Sequence, residues 1–461
     1  MPESRAHYRS APRHVRRSTT DGGLGLTLLT LVTGSCAAFA ATYPRAIGLG
    51  FVEILAWAGL GLGLSLILLP PRSWPLIPWT AVVIGVWMGG SVYWSQDGRA
   101  TFEGTLLYAA IATLAVATVW RGGKDRLPIA TLGGLVLVAV SSIVMALFFQ
   151  HSIGKFRVWD MPDVSLRSFQ GAYNNRNILA YTIVLLTPSV FCVGRTRRNR
   201  LVIASLGLVS IVALLLQVGS TTGFVALAVV TLAAVPSLAA RHPRTLAAGV
   251  RRRSATWWVA AALASAVVAV VLFMGREKLA TLSGRTPLWR AVVDASAERP
   301  LGGFGWGTVW NYHWMPAGPN DVLRDINASQ AWPLAHGHNA AIDLLPQIGV
   351  VGILLFVLLQ VWSLLHLVRA PRSNVRTWAL LTLLAVNVVG LTEPTWAVPL
   401  GWFLLVAIAT VAPQLSPRRL HIRGPRGGTM FSALFSPPPT DGSAPDARDS
   451  MPAGHAGDTP S

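Results

Sequence analysis

The sequence predicts an all-α membrane protein of about twelve transmembrane helices, with one large extracytoplasmic loop between spans nine and ten. Three observations predict it. Of the 461 residues 52% are hydrophobic and only 12% charged, against about 25% charged in soluble chains. Long apolar stretches recur from residue 24 to residue 413, most of them sufficient to cross a hydrocarbon core of about 30 Å. The basic residues alternate with these stretches, as the orientation of lipid-embedded helices requires.

Taken in order, residues 1–23 are an Arg-rich polar tail that cannot bury a core and is expected to be disordered and cytoplasmic. The polytopic domain, 24–413, then holds spans at 24–42, 47–69, 75–94, 102–120, 128–149, 177–194, 201–217, 221–240, 256–274, 347–368, 377–391 and 396–413. The end of the first, GSCAAFAATYP (34–44), is similar to a signal-peptide end with an A-x-A site. The charge alternation works with that span retained, so it is expected to stay uncleaved. Cys36 and Cys192 fall in spans at opposite depths, which implies no disulfide framework. Residues 414–461, rich in Pro, Gly, Ser and Asp, form a second disordered cytoplasmic tail.

With the N-terminus inside, 26 of the 38 Lys and Arg lie in cytoplasmic segments. Ten of the others fall in two long outer loops, 150–176 and 275–346, and the short outer connections hold only Arg45 and Arg99. Both termini are therefore expected in the cytoplasm. The net charge of +19 needs no nucleic acid, because tracts such as RTRRNR (195–200) and RRRS (251–254) follow span ends. They suit anionic headgroups of the membrane lipids.

Loops as long as these two usually carry function. The longer is aromatic and glycine-rich, which suits a packed surface subdomain. Within it TPLWRAVVDASAERP (286–300) has helical spacing, with Leu288, Val292 and Ala295 on one stripe and Pro300 forbidding continuation. Arg285 and Arg290 lie on the outer face, against the positive-inside bias. Their planar forks suit phosphate or carboxylate; an Arg here also snorkels or pairs with Asp294 or Glu298. GGFGWG (302–307) has no following GK[ST], so its glycines are expected to permit close backbone packing rather than to cradle phosphate.

His338 follows, with Asn339 beside it and Asp343 one turn further on. Pro346 lacks the amide that would bond Ile342, so a short helix is expected to end or kink there before the span near 347. His338 would then sit at the outer membrane boundary, where a neutral imidazole takes a proton from a hydroxyl; a His at a helix start also commonly caps backbone. A metal reading of His313, His336 and His338 lacks a third ligand fixed by the sequence. In GAYNNRNILAY (171–181), Asn174, Asn175 and Asn177 suit sugar hydroxyls and Arg176 an anion, or they cap the incoming helix.

Four stretches, in order, resemble the O-antigen ligase family of membrane glycosyltransferases, a superfamily that includes O-antigen polymerases. They are GAYNNRNILAY, then LSGRTPLWRAVVDASAERPLGGFGWGTVW (282–310), HGHNAAIDLLPQIGVVG (336–352) and LTEP (391–394). Together they cover about residues 165–400. The resemblance implies a metal-independent, cofactor-free transfer of a glycan from a polyprenyl-diphosphate carrier to a glycan or lipid acceptor, outside the cytoplasmic membrane. It implies that His338 deprotonates the acceptor hydroxyl, that Arg285 binds the donor diphosphate, and that attack inverts the anomeric carbon. One departure stands out. The family's Ser-Arg-Gly-like turn falls on GSTTGF (219–224), where Thr221 and Thr222 stand and no Arg does. Arg176 or Arg290 is left as a substitute.

Two other functions compete. A repeat-unit polymerase would share fold and residues. A lipid-linked glycan transporter should show ionisable groups near the bilayer midplane or paired broken helices; Glu53 fits, but no symmetry between halves is visible.

Overall fold

The computed structural model describes Cys36 and residues 77–148, 169, 171–173, 175–194, 197–218, 220–239, 285–312, 320–330 and 334–416. The predicted spans 24–42, 47–69 and 256–274, both tails beyond these limits, most of loop 150–176, and Glu53, Asn174 and His313 lie outside the described residues.

All regular structure among the described residues is helical. The chain runs through α1 (Trp79–Gly90), a short 3-10 turn (Ser91–Tyr93), α2 (Gly98–Gly122), α3 (Leu127–Phe148), α4 (Arg176–Leu186) and α5 (Pro188–Cys192). There follow α6 (Arg197–Val218), α7 (Thr221–Ala239), α8 (Arg285–Ser296), α9 (Asp321–Ala328), α10 (Ala340–Arg369), α11 (Asn374–Gly390) and α12 (Pro399–Leu415). Four segments, Gly98–Trp120, Lys124–Met145, Arg198–Leu216 and Ala340–Arg369, are long and apolar enough to cross a membrane, and shorter apolar helices accompany them. The chain is a helical membrane protein. Each predicted span that falls on described residues coincides with an apolar helix, span 177–194 being divided into α4 and α5 where Pro188 opens a new first turn.

Local chemistry places the helix starts. Asp97 accepts from Ala100 N at 2.9 Å to cap α2, and Ser373 accepts from Arg376 N at 3.1 Å to cap α11. Pro399 occupies the first turn of α12, where its missing amide costs nothing. From Pro399 to Ala412 every α12 residue is buried, so α12 is the central helix, packed on α2 and α10. A hydrogen bond from the Trp402 indole to Tyr108 O (2.9 Å) and one from the Tyr108 hydroxyl to Ala397 O fasten α12 to α2. Facing outward are Val86, Leu206, Val209 and Leu354, apolar side chains on helix surfaces that suit acyl chains rather than water.

Pro346 does not break α10. Its backbone stays helical until Gly349, three residues later, which sits at φ 65° and ψ −171°. The break is satisfied entirely by other backbone and one indole. Phe304 N and Gly305 N donate to the carbonyls of Pro346 (2.8 Å) and Gln347 (3.0 Å), and the Trp87 indole donates to Ile348 O at 3.1 Å. In return Val350 N and Val351 N donate to Pro300 O (2.9 Å) and Leu301 O (3.3 Å). A helix opened inside an apolar segment long enough to span must find such partners, since lipid offers none. The glycines of GGFGWG make the approach physically allowed: a Cβ on Gly303 would meet Gln347 C at 2.5 Å, and one on Gly349 would meet Leu301 O at 2.2 Å. The close-packing expectation for this cluster holds. On its other side the segment is gripped by residues 91–96, with Trp306 N donating to Ser91 Oγ (3.0 Å) and Gln96 N to Phe304 O (3.0 Å). Trp306 and Trp310 are completely buried. At about 200 Å² per ring and about 25 cal/mol per Å², burial is worth on the order of 5 kcal/mol for Trp310, whose indole donates to Asp343 O at 2.7 Å, and less for Trp306, whose indole nitrogen has no partner among the described residues.

Candidate functional site

Three segments distant in sequence meet beside the start of α10. The first is the beginning of α8, which carries Arg285. Its buried stripe, Leu288 and Val292 with Ala295 partly buried, lies on the core as the spacing predicts. The second is the turn His336–Gly337–His338. The third is LTEP, between α11 and α12, where Glu393 N donates to Val389 O at 2.9 Å and Thr395 Oγ1 to Val386 O at 2.7 Å. These bonds fold the turn back over the end of α11 and hold the Glu393 side chain inside the protein.

The His-Gly-His turn is clamped from both sides. Gly337 N donates to Asp343 Oδ1 (2.8 Å), and the Trp289 indole donates to Gly337 O (3.0 Å). A Cβ on Gly337 would lie 2.9 Å from Asp343 Cα, so glycine alone fits. The other oxygen of Asp343 accepts from the Tyr312 hydroxyl at 2.6 Å. Burial, with Asp343 beside it, pushes the Tyr312 phenol well above its usual value, so it stays a donor. Asp343 is thus the local structural residue the sequence suggests. His338 takes φ 49°, the one positive φ outside glycine among the described residues. Held this way, the two imidazoles face each other at a centroid distance of 3.9 Å, and His336 stacks on Tyr312 at 6.3 Å.

Both rings and Arg285 converge on one carboxylate. His336 Nε2 lies 3.5 Å and His338 Nδ1 3.6 Å from Glu393 Oε2, while Arg285 Nη2 lies 3.4 Å from Oε1. Burial pushes the Glu393 carboxyl up, but the approach of His336 and His338 outweighs it and holds the group below the usual carboxylate range. Burial and the neighbouring His338 ring hold His336 below its ordinary value, against the pull of Glu393. Two buried polar atoms at this cluster have no hydrogen-bond partner among the described residues: Arg285 Nε and His338 Nδ1. Trp306 Nε1, Trp396 Nε1 and four threonine hydroxyls among the described residues are orphaned too, but only here do two orphaned nitrogens face one buried carboxylate.

Of the other site residues drawn from the sequence, Asn339 is the N-cap of α10. Its oxygen accepts from Ala341 N (2.9 Å) and Ile342 N (3.1 Å), and its amide donates to Leu391 O (3.2 Å). That last bond ties the His turn to the Glu393 turn, so Asn339 positions the site; capping belongs to it and not to His338. Asn175 caps α4 by accepting from Asn177 N at 2.8 Å. Asn177 lies with Tyr181, Ser220 and Thr222 around a shallow, closely packed cleft beside Glu393. Arg176 and Arg290 are exposed, and neither makes an ion pair among the described residues. Arg285 pairs with neither Asp294 nor Glu298.

Glu393 and His336 are the members that sequence reasoning underweighted. Between Arg376 and Arg418 no other charged residue occurs, and a lone charge in so long an apolar stretch is the signal that marks Glu393. No protein-family model matches the chain, and no curated protein sequence matches it.

Proposed function

We propose that the chain is an extracytoplasmic glycosyltransferase that moves a glycan from a polyprenyl-diphosphate carrier to an acceptor hydroxyl, as the resemblance to the O-antigen ligases implies. The observation that supports it is the convergence of Arg285 and His338 on Glu393, with one unpartnered buried nitrogen on each. Glu393 Oε2 faces the Nδ1 side of His338 at 3.6 Å, so Nε2 is the nitrogen left to take the proton of the acceptor hydroxyl. The acceptor oxygen then bonds to the anomeric carbon, the bond from that carbon to the diphosphate breaks, and the lipid diphosphate leaves with its new charge beside Arg285. The guanidinium offers Nε and a terminal nitrogen as a fork for two phosphate oxygens. In this reading Asn177, beside the cleft next to Glu393, takes a sugar hydroxyl, and Arg176 or Arg290 at the surface supplies the second cation that Thr221 and Thr222 do not.

A polymerase uses the same groups. Incubating the purified chain in vesicles with a lipid-linked glycan and candidate acceptors separates the two by product length: a single transfer for a ligase, a ladder for a polymerase. Failure of any donor and acceptor pair to react, with the lipid-linked glycan instead crossing the bilayer, would overturn the transferase in favour of a transporter.

A further inference from the structure

The histidines and Glu393 present a donor set that proton transfer alone does not explain. One nitrogen from each ring and one carboxylate oxygen lie within 4.8 Å of one another. The separations from Glu393 Oε2, 3.5 and 3.6 Å, are longer than good N–H···O bonds, which cluster at about 2.7–3.2 Å. They match instead two edges of a tetrahedron, since ligand atoms held at about 2.0–2.2 Å from a zinc ion lie roughly 3.3–3.6 Å apart. His338 Nδ1 has no hydrogen-bond partner. The sequence offered His336-x-His338 without a third ligand; the fold brings that ligand from the α11–α12 turn.

We propose that His336 Nε2, His338 Nδ1 and Glu393 Oε2 form a site for one divalent transition-metal ion of the zinc class, with a fourth position open. Two imidazoles and one carboxylate favour zinc, cobalt or nickel over magnesium or calcium, which need more oxygen ligands. Surrounding groups hold the ligands still. Arg285 engages the other oxygen of Glu393, Tyr312 stacks on His336, and Asp343 with Trp289 clamps the glycine between the histidines. Outer partners of this kind raise affinity. The histidine side chains are 14% and 17% exposed, which gives an ion a way in. On the transferase reading an ion on Nδ1 keeps the proton on Nε2, so zinc inhibits transfer; this consequence rests on that reading, and the binding itself does not.

Full-length protein, purified in detergent and stripped with a chelator, is titrated with Co²⁺. One ion per chain with intense visible bands of four-coordinate cobalt is expected, displaced by Zn²⁺ and not by Mg²⁺. His336→Gln and Glu393→Gln should each weaken binding by more than the roughly 10–100-fold that loss of an outer partner costs. Only the pale spectrum of aqueous cobalt in the wild type, or unchanged bands in both variants, overturns the site. Because Glu393→Gln also disturbs a buried ion cluster, the zinc-loaded wild type is measured separately by X-ray absorption. Paired imidazole scattering with one oxygen shell at about 2.0–2.2 Å is expected, and a shell without the two imidazoles overturns the proposal.

Discussion

Glu393 carries the electrostatics of the site, because among the described residues it is the one carboxylate in contact with Arg285, His336 and His338. Removing its charge leaves a mostly buried guanidinium uncompensated. Glu393→Gln should therefore destabilise the protein by on the order of 3 kcal/mol, the cost of breaking a buried pair; denaturation in detergent at wild-type stability would contradict this. Arg285→Lys keeps the charge and loses the fork. Donor affinity should fall about 10–100-fold, one charge-assisted hydrogen bond's worth, and unchanged binding of the lipid-linked donor would refute the diphosphate role. At this scale the sequence exposes single residues and conceals their partners. His338 and Arg285 stand out through motif order and topology. His336 reads as an HxH fragment because its companion lies more than fifty positions away, on a different turn. Asn339 stands beside His338 in the sequence, and only the fold shows both its amide atoms spent on backbone.

Among elements, the opened helix α10 is what places the site. Its first turns, before Gly349, carry Asn339 and Asp343 and so hold the histidine turn, while the remainder serves as a span. Gly349→Ala forces a side chain into a backbone region that only glycine adopts readily, at about 1–3 kcal/mol, and drives a Cβ onto Leu301 O. The variant should lose stability by more than that conformational cost alone and show reduced transfer. Gly85→Ala, whose Cβ meets nothing within 4 Å, should leave both unchanged or gain up to about 1 kcal/mol. Equal behaviour of the two variants would count against the interlocked backbone. Pro346 illustrates why the break was misplaced from sequence: the missing amide is a local signal, whereas the partners that hold the opening come from residues 300–305. Those partners are legible only as a glycine cluster with a packing role.

At the level of the molecule, span positions were legible because apolar length is a strong constraint, and the helices found fall where hydropathy puts them. The orientation is a further expectation. In a chain with Cys36 and Cys192 replaced by serine, a cysteine placed at exposed Glu298 should react with an impermeant maleimide in intact cells. One placed at exposed Arg372 should react only after permeabilisation. The reverse pattern would put the cluster in the cytoplasm and exclude extracytoplasmic transfer. The most direct measurement is the transfer rate of His338→Ala against wild type, both in vesicles and supplied with the same lipid-linked glycan and acceptor. Loss of a general base predicts a fall of at least about 100-fold with folding and donor binding retained. Product formation at the wild-type rate would contradict the account.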